Sequence, residues 1–232
     1  MILLLAAACV FLGIHLVVSG TPLRDAIVGK IGEQAYLGLF SLFSLGAIVW
    51  LCVAYDFAGA SAGNRVWFVP GAALKDFAIP VLAVAFALAV PGILSPNPTS
   101  VGQEKTAGEA KTVRGVLRIT RHPFLWGVAL WSGFHLAATG DGASVIFFGT
   151  FLALTLLGTL AIDAKRKRKL GALWQGFSYQ TSNIPFAAIL SGRTRFHLGE
   201  YLDWRFAAAV GVFLVLLFVH TWLFGASPFP AY

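Results

Sequence analysis

Six apolar stretches, roughly residues 2 to 19, 35 to 55, 74 to 94, 123 to 139, 143 to 162 and 206 to 225, occupy most of this 232-residue chain. Most approach the ~20 residues that a helix needs to cross a hydrocarbon core of ~30 Å. In such a core every backbone N–H and C=O must be satisfied inside the segment, so the stretches read as helices. With 58% hydrophobic residues, 12% charged residues and a mean hydropathy of +0.79, the chain has lipid as its main solvent. The expected fold is all-α, a polytopic membrane bundle of about six transmembrane helices with a cytoplasmic interfacial helix, forming a single integral membrane domain over 1–232. The stretch from 123 to 139 is short, and the "ATGDGAS" after it leaves little room for a loop. Spans four and five are therefore expected to form a tight hairpin, with a re-entrant pair as the weaker alternative.

The first stretch, "MILLLAAACVFLGIHL", has no basic n-region and reads as a span rather than a cleaved leader. Cys9 and Cys52 fall within spans and are expected as buried free thiols. No Cys-x-x-Cys-His occurs, which excludes covalent c-type haem attachment. Connections 1–2, 3–4 and 5–6 hold 15 of the 17 lysines and arginines, leaving Arg65 and Lys75 on the opposite side. By the positive-inside rule those three connections face the cytoplasm and both termini the other side. The net charge of +7 is thus a matter of topology and anionic-lipid contact, and implies no nucleic-acid partner. The connection 95 to 114, rich in Pro, Gly, Ser and Thr, is expected to be mobile. The connection 164 to 205 carries "LGALWQGFSYQTSNIPFAAILSGR", whose aromatics at helical spacing suit the interfacial helix.

Histidines stand out in such a background, because an imidazole in hydrocarbon must be bonded to a neighbour, line a wet cavity or ligate something. His15, His135 and His220 lie near the middle or in the outer half of their spans; His197 falls in a cytoplasmic connection. His122 lies at the inner boundary before Pro123, where a proline at the first helical position needs no N–H and His122 can act as the cap. His122 and His135 are separated by roughly 20 Å along one helix and cannot share a metal. Interhelical hydrogen bonding is one role for the mid-membrane set. Neutral imidazoles on different helices also form the axial pair of a b-type haem in a helical bundle, with arginines at the boundary to meet its propionates. On depth alone His135 can pair with His15 or with His220. Arg24, Arg118 and Arg121 lie at the cytoplasmic boundary, where they either snorkel to phosphates or pair with propionates.

"GIHLVVSGTPLR", "YLGLFSLFSLGAIV", "GVLRITRHPFLWGVALWSGFHLAATGD" and "TSNIPFAAILSGR" together resemble the NnrU family, to which a plant zeta-carotene isomerase is related. The resemblance covers most of the chain. It implies haem b held by the histidines of the first and third motifs, here His15 and His135. The cofactor-facing set is then His15, His135, Arg24, Arg121 and His122, with His15 and His135 on the metal. The bacterial members take their name from a genetic link to nitric oxide and nitrite metabolism in denitrification, and a bacterial inner membrane is the expected location. Haem-dependent isomerase-like or redox chemistry on a lipophilic molecule is the implied activity.

Arg121-His122-Pro123, with "LWQGFSYQTSNIP" further on, also resembles membrane methyltransferases of the isoprenylcysteine carboxyl and phospholipid type, whose histidine grips S-adenosylmethionine. The acidic pair of that pattern is here reduced to Asp163 followed by lysines. Methyl transfer stays as the enzyme alternative, and an assembly factor for respiratory nitrogen-oxide reductases as the non-catalytic one. Asp141 is expected to cap span five. Gly38, Ser41, Ser44 and Ala47 are expected to let span two approach a neighbour closely, and Pro80 and Pro91 to kink span three.

Overall fold

A computed structural model of the chain describes residues 1–109 and 111–229. Among these the regular structure is helical, apart from one isolated bridge between Val66 and Asp141, so the all-α expectation holds. Helix α1 (Ile2–Leu12) runs into a π-helical turn, Gly13–Val18, and is followed by α2 (Leu23–Ile31) and α3 (Glu33–Gly59). Next come α4 (Ala78–Leu94), α5 (Val116–Ile119), α6 (Pro123–Thr139), α7 (Gly142–Leu170), α8 (Ala172–Gln180), α9 (Ala187–Leu190), α10 (Leu198–Tyr201) and α11 (Trp204–Phe224).

Four helical segments are long and apolar enough to cross a membrane: Glu33–Gly59, Ala73–Leu94, Gly142–Leu170 and Trp204–Phe224. Ile2–Val18 and Leu23–Ile31 make a fifth if the pair, bent by 79°, counts as one span. Among the described residues the count is thus four or five where about six were expected, the helix over 123–139 being the short one. The helix over 123–139 has 17 residues, about 25 Å, because Pro123 opens it and Gly140, at φ 82, closes it. It joins α7 through two residues, as the tight hairpin requires. Large apolar side chains such as Leu42, Phe218 and Trp222 are exposed, as lipid-facing positions are. Cys9 and Cys52 are free as expected but exposed rather than buried, which places thiols of low polarity toward lipid.

The chain packs as two compact units, residues 1–71 with 135–161, and residues 72–134 with 162–232. In the first unit α1 packs on α3. The buried residues of α1 are Leu4, Ala7, Ala8 and Phe11, a single stripe at helical spacing, and those of α3 are Tyr36, Ala47, Leu51, Ala54 and Ala58. The stripe Gly38-Ser41-Ser44-Ala47 is not the contact face: Gly38 and Ser41 are exposed. Steps of three residues drift by about 60° each around a helix with 3.6 residues per turn, so four of them leave any one face. The loop after α3 is clasped to the α6–α7 turn. Trp67 N–H and Phe68 N–H donate to the Gly140 carbonyl, and Asn64 bonds both the Asp141 carboxylate (2.9 Å) and the Ala143 N–H (2.9 Å). Asp141 accepts from Ser144 N–H at 3.0 Å and so caps α7 as expected.

In the second unit α11 packs on α4. Pro80 falls in the first turn of α4, where no N–H is needed, while Pro91 lies inside the helix. The α4–α6 crossing is close: a Cβ on Gly127 would stand 2.5 Å from the Ala85 carbonyl oxygen and 2.7 Å from Ala89 Cβ, and one on Gly92 would stand 2.6 Å from Phe124 N. Gly127→Ala should therefore cost about 1–3 kcal/mol, because backbone and not a flexible side chain must yield. Thermal unfolding in detergent checks this; an unchanged melting temperature would mean that the crossing opens freely.

The 95–114 connection, expected to be mobile, is instead tied down by its polar residues. Asn97 and Thr99 side chains donate to the Arg121 carbonyl (3.1 Å each), and the buried Arg166 pairs with Glu104 and donates to the Ser100 carbonyl at 2.7 Å. In the expected interfacial segment, α8 buries Trp174 and Phe177 and exposes Leu173 and Tyr179, the two-faced arrangement that its aromatics called for.

Candidate functional site

His15 and His135 both belong to the first unit. His15 lies in the π-helical turn, a distortion that recurs at functional positions because it re-aims the side chains it carries. Its Nδ1 is 2.8 Å from the Phe11 carbonyl. A carbonyl can only accept, so Nδ1 carries the proton, and in the neutral ring Nε2 presents the lone pair. His135 sits near the end of α6, its carbonyl accepting from Thr139 Oγ1 at 2.8 Å.

The two imidazoles are attached to one aromatic cluster. His15 lies 4.5 Å from the Phe11 ring and 5.4 Å, edge to face, from Phe40; Phe11 meets Phe151 at 5.6 Å, and Phe147 meets both Phe148 and Phe151 at 5.2 Å. Phe148 in turn stacks on His135 at 4.9 Å. The ring-to-ring path thus runs from α1 across α7 to α6, through side chains with no charge. Among the described residues no three His, Cys, Asp or Glu side chains converge to hold a metal ion by themselves. A tautomer fixed by a backbone carbonyl, an aromatic lining and a second histidine of the same unit do fit a haem whose iron takes two axial nitrogens.

The boundary arginines are already bonded to carboxylates. Arg24, in α2, pairs with Glu33 and, at 3.4 Å, with Asp25, and its guanidinium lies 5.1 Å from the centroid of the Tyr36 ring. Arg118 holds Glu200 at 2.7 and 3.0 Å, which lowers the Glu200 carboxyl to about 2. Arg121 grips Asp163 through Nε (3.0 Å to each oxygen) and Nη2 (2.5 Å), and its guanidinium lies 5.7 Å from the Trp174 ring.

His122, 2% exposed, completes that junction in the second unit. Its backbone carbonyl accepts the Trp126 N–H in the N-cap manner, but its side chain does not cap the helix: Nε2 lies 2.7 Å from Asp163 Oδ1. Burial pushes the His122 imidazole below its ordinary pKa, and this outweighs the attraction of Asp163, so the neutral ring donates its Nε2–H. Around it Thr120 Oγ1 donates to the Asn183 carbonyl (2.6 Å), Arg121 N–H donates to the Ser182 carbonyl (2.9 Å) and Trp126 Nε1–H donates to Asn183 (2.7 Å). The Arg-His-Pro motif therefore builds a polar hub joining α6, α7 and the 181–186 segment. His220, on α11, donates from Nδ1 to the Ala226 carbonyl at 2.8 Å and belongs to the second unit; His197 is exposed.

The structure thus brings His15 and His135 to one unit with Arg24, and places Arg121 and His122 in the other, bonded to Asp163. Tyr36 is absent from the expected set although it lies beneath Arg24; a tyrosine in the first turn of a span carries an ordinary interfacial signal and gives no cue to burial.

Comparison with known proteins accords with this architecture. The chain is 26% identical over 209 residues to the chloroplastic 15-cis-zeta-carotene isomerase of Arabidopsis thaliana, covering 88% of this chain and 56% of the relative. To the Zea mays protein of the same name it is 24% identical, covering 84% of this chain and 52% of the relative. It therefore spans about half the length of these curated relatives. No solved structure matches it significantly. The family described as NnrU protein matches residues 3–228, and the chain accordingly belongs to the NnrU family.

Proposed function

We propose that this NnrU-family membrane protein binds haem b in its first unit, where His15 and His135 would hold its iron. The observation that carries the proposal is the His15 ring, tied through Nδ1 to the Phe11 carbonyl in a π-helical turn, with Nε2 left as the ligating nitrogen. The bound haem would supply one-electron chemistry at its iron. The chain's own part is to fix both imidazoles in an aromatic, water-poor setting and to admit a lipophilic molecule from the bilayer. The relatives are named as isomerases of 15-cis-zeta-carotene, so a conjugated polyene is the substrate class to test first. Nitrogen-oxide metabolism is the physiological setting that the family name supplies. Methyl transfer gains no support here, since Arg121 and His122 are both bonded to Asp163.

The visible spectrum of the purified protein, produced with ample haem, tests the proposal. A Soret band with sharp reduced α and β bands is expected. A protein that takes up no haem returns the histidines to interhelical bonding and favours the assembly-factor role.

With the bent N-terminal pair and the helix over 123–139 each counted as a span, the 15-to-2 split of basic residues favours both termini outside the cytoplasm of a bacterial inner membrane and the Lys165–Lys169 run inside. A C-terminal fluorescent reporter that matures only in the cytoplasm should stay dark; bright fluorescence would invert the topology.

A further inference from the structure

Two buried hydroxyls in the first unit, Tyr36 Oη and Ser44 Oγ, have no hydrogen-bond partner. An unpaired buried hydroxyl is unfavourable, and helices usually avoid it by back-bonding. Ser132, Thr139, Thr150, Thr155 and Thr159 all do this, each donating to a carbonyl three or four residues upstream. Tyr36 has no such recourse: its hydroxyl stands at the end of a rigid ring, away from its own backbone. The residue is 4% exposed, so bulk water does not serve it.

Position says what the hydroxyl faces. Tyr36 and Ser44 stand one turn either side of Phe40 on α3. Phe40 is the ring that meets His15 edge to face, and Tyr36 stacks on Phe40 at 5.9 Å. Tyr36 is also in the first turn of α3, at the end toward the boundary residues Arg24 and Glu33. A molecule held at His15 and extending toward that boundary runs along Phe40 to Tyr36. The Arg24 guanidinium lies over the Tyr36 ring, 5.1 Å from its centroid, and holds the ring in place. Arg24 directs one N–H from each terminal nitrogen to Glu33 and Asp25, whereas the Tyr36 hydroxyl has no hydrogen-bond partner at all.

We propose that Tyr36 is a ligand-binding residue whose hydroxyl donates to a carboxylate of the molecule held beside His15. Resting on the haem reading, that carboxylate is a propionate, and Tyr36 takes the part that Arg24 was expected to play. A strong hydroxyl donor to a carboxylate forms a charge-assisted bond that is absent from the ligand's ester.

The test titrates the full-length apoprotein with haemin and with haemin dimethyl ester, in wild type and Tyr36→Phe. Haemin should bind the wild type more tightly than the ester. Tyr36→Phe should weaken haemin binding roughly tenfold and leave ester binding unchanged. Because the substitution deletes only an unpaired hydroxyl, the apoprotein should melt no lower than wild type. Equal haemin affinity in the two proteins, or an equal loss for haemin and ester, overturns the proposal and leaves the haem reading standing. If Tyr36→Phe does not fold, the wild type still decides: an ester bound as tightly as haemin overturns carboxylate recognition. Uptake of neither compound by the wild type overturns the haem reading, and this proposal with it.

Discussion

His15→Ala and His135→Ala should each abolish the low-spin haem spectrum, whereas His220→Ala should leave it nearly unchanged. Each ligand mutant removes one of two axial bonds, so the iron turns high-spin or the haem is lost. Tautomer alone does not select the pair, because His15 and His220 both donate from Nδ1 to a backbone carbonyl. The surroundings do. His15 and His135 belong to one unit and share the cluster Phe11-Phe151-Phe147-Phe148. His220 belongs to the second unit and meets the Phe224 ring there at 4.9 Å. Absorption spectra of the three variants, normalised to protein and recorded oxidised and reduced, decide the matter. A low-spin spectrum kept by His15→Ala and lost by His220→Ala would make the pair His135 with His220.

The parts of the fold legible in the sequence were those set by local chemistry. Pro123 and Gly140 delimit α6 over 123–139 as expected, and Asp141 after Gly140 marks the α7 cap. The bend after Val18 carried no such mark: Gly20 and Pro22 signal a break without giving an angle, and nothing in "GIHLVV" distinguishes a π-turn from an α-turn. In the 95–114 connection Pro and Gly give a local loop signal, whereas the bonds that tie it down come from Asn97, Thr99 and Glu104. Their partners Arg121 and Arg166 are 22 to 67 residues away, beyond any local pattern. The histidines could be ranked by depth from the sequence. Their proton positions could not, since these depend on which carbonyl the fold brings to Nδ1.

The hub around His122 leads to the second large effect. Asp163→Ala should destabilise the protein by about 2–4 kcal/mol, most of what a broken buried ion pair costs, reduced by the residual water access of Arg121 (14%) and Asp163 (19%). The loss is more than one bond: Asp163 accepts from Arg121 through two nitrogens and from His122, so its removal strands a guanidinium and a buried imidazole together. Coupling follows from this sharing. Asp163→Ala combined with His122→Ala should cost clearly less than the sum of the two singles, because the second deletion removes a group already left without its acceptor. His122→Asn should not behave as a silent cap replacement, since the shorter amide cannot reach the carboxylate from the same backbone position. The pH dependence has a definite sign. With the folded pKa of His122 below its ordinary value, the hub's contribution is complete above that ordinary value and is lost as the pH falls toward the folded one. Asp163→Ala should steepen this part of the stability profile, because Asp163 opposes the depression of the His122 pKa and its loss leaves burial and Arg121 to lower it further. Thermal or denaturant unfolding in detergent, with helix content and haem absorbance followed together, measures all three quantities. An Asp163→Ala protein within about 0.5 kcal/mol of wild type would mean that the Arg-His-Pro motif does not brace the second unit, and would restore Arg121 and His122 as free to serve a ligand.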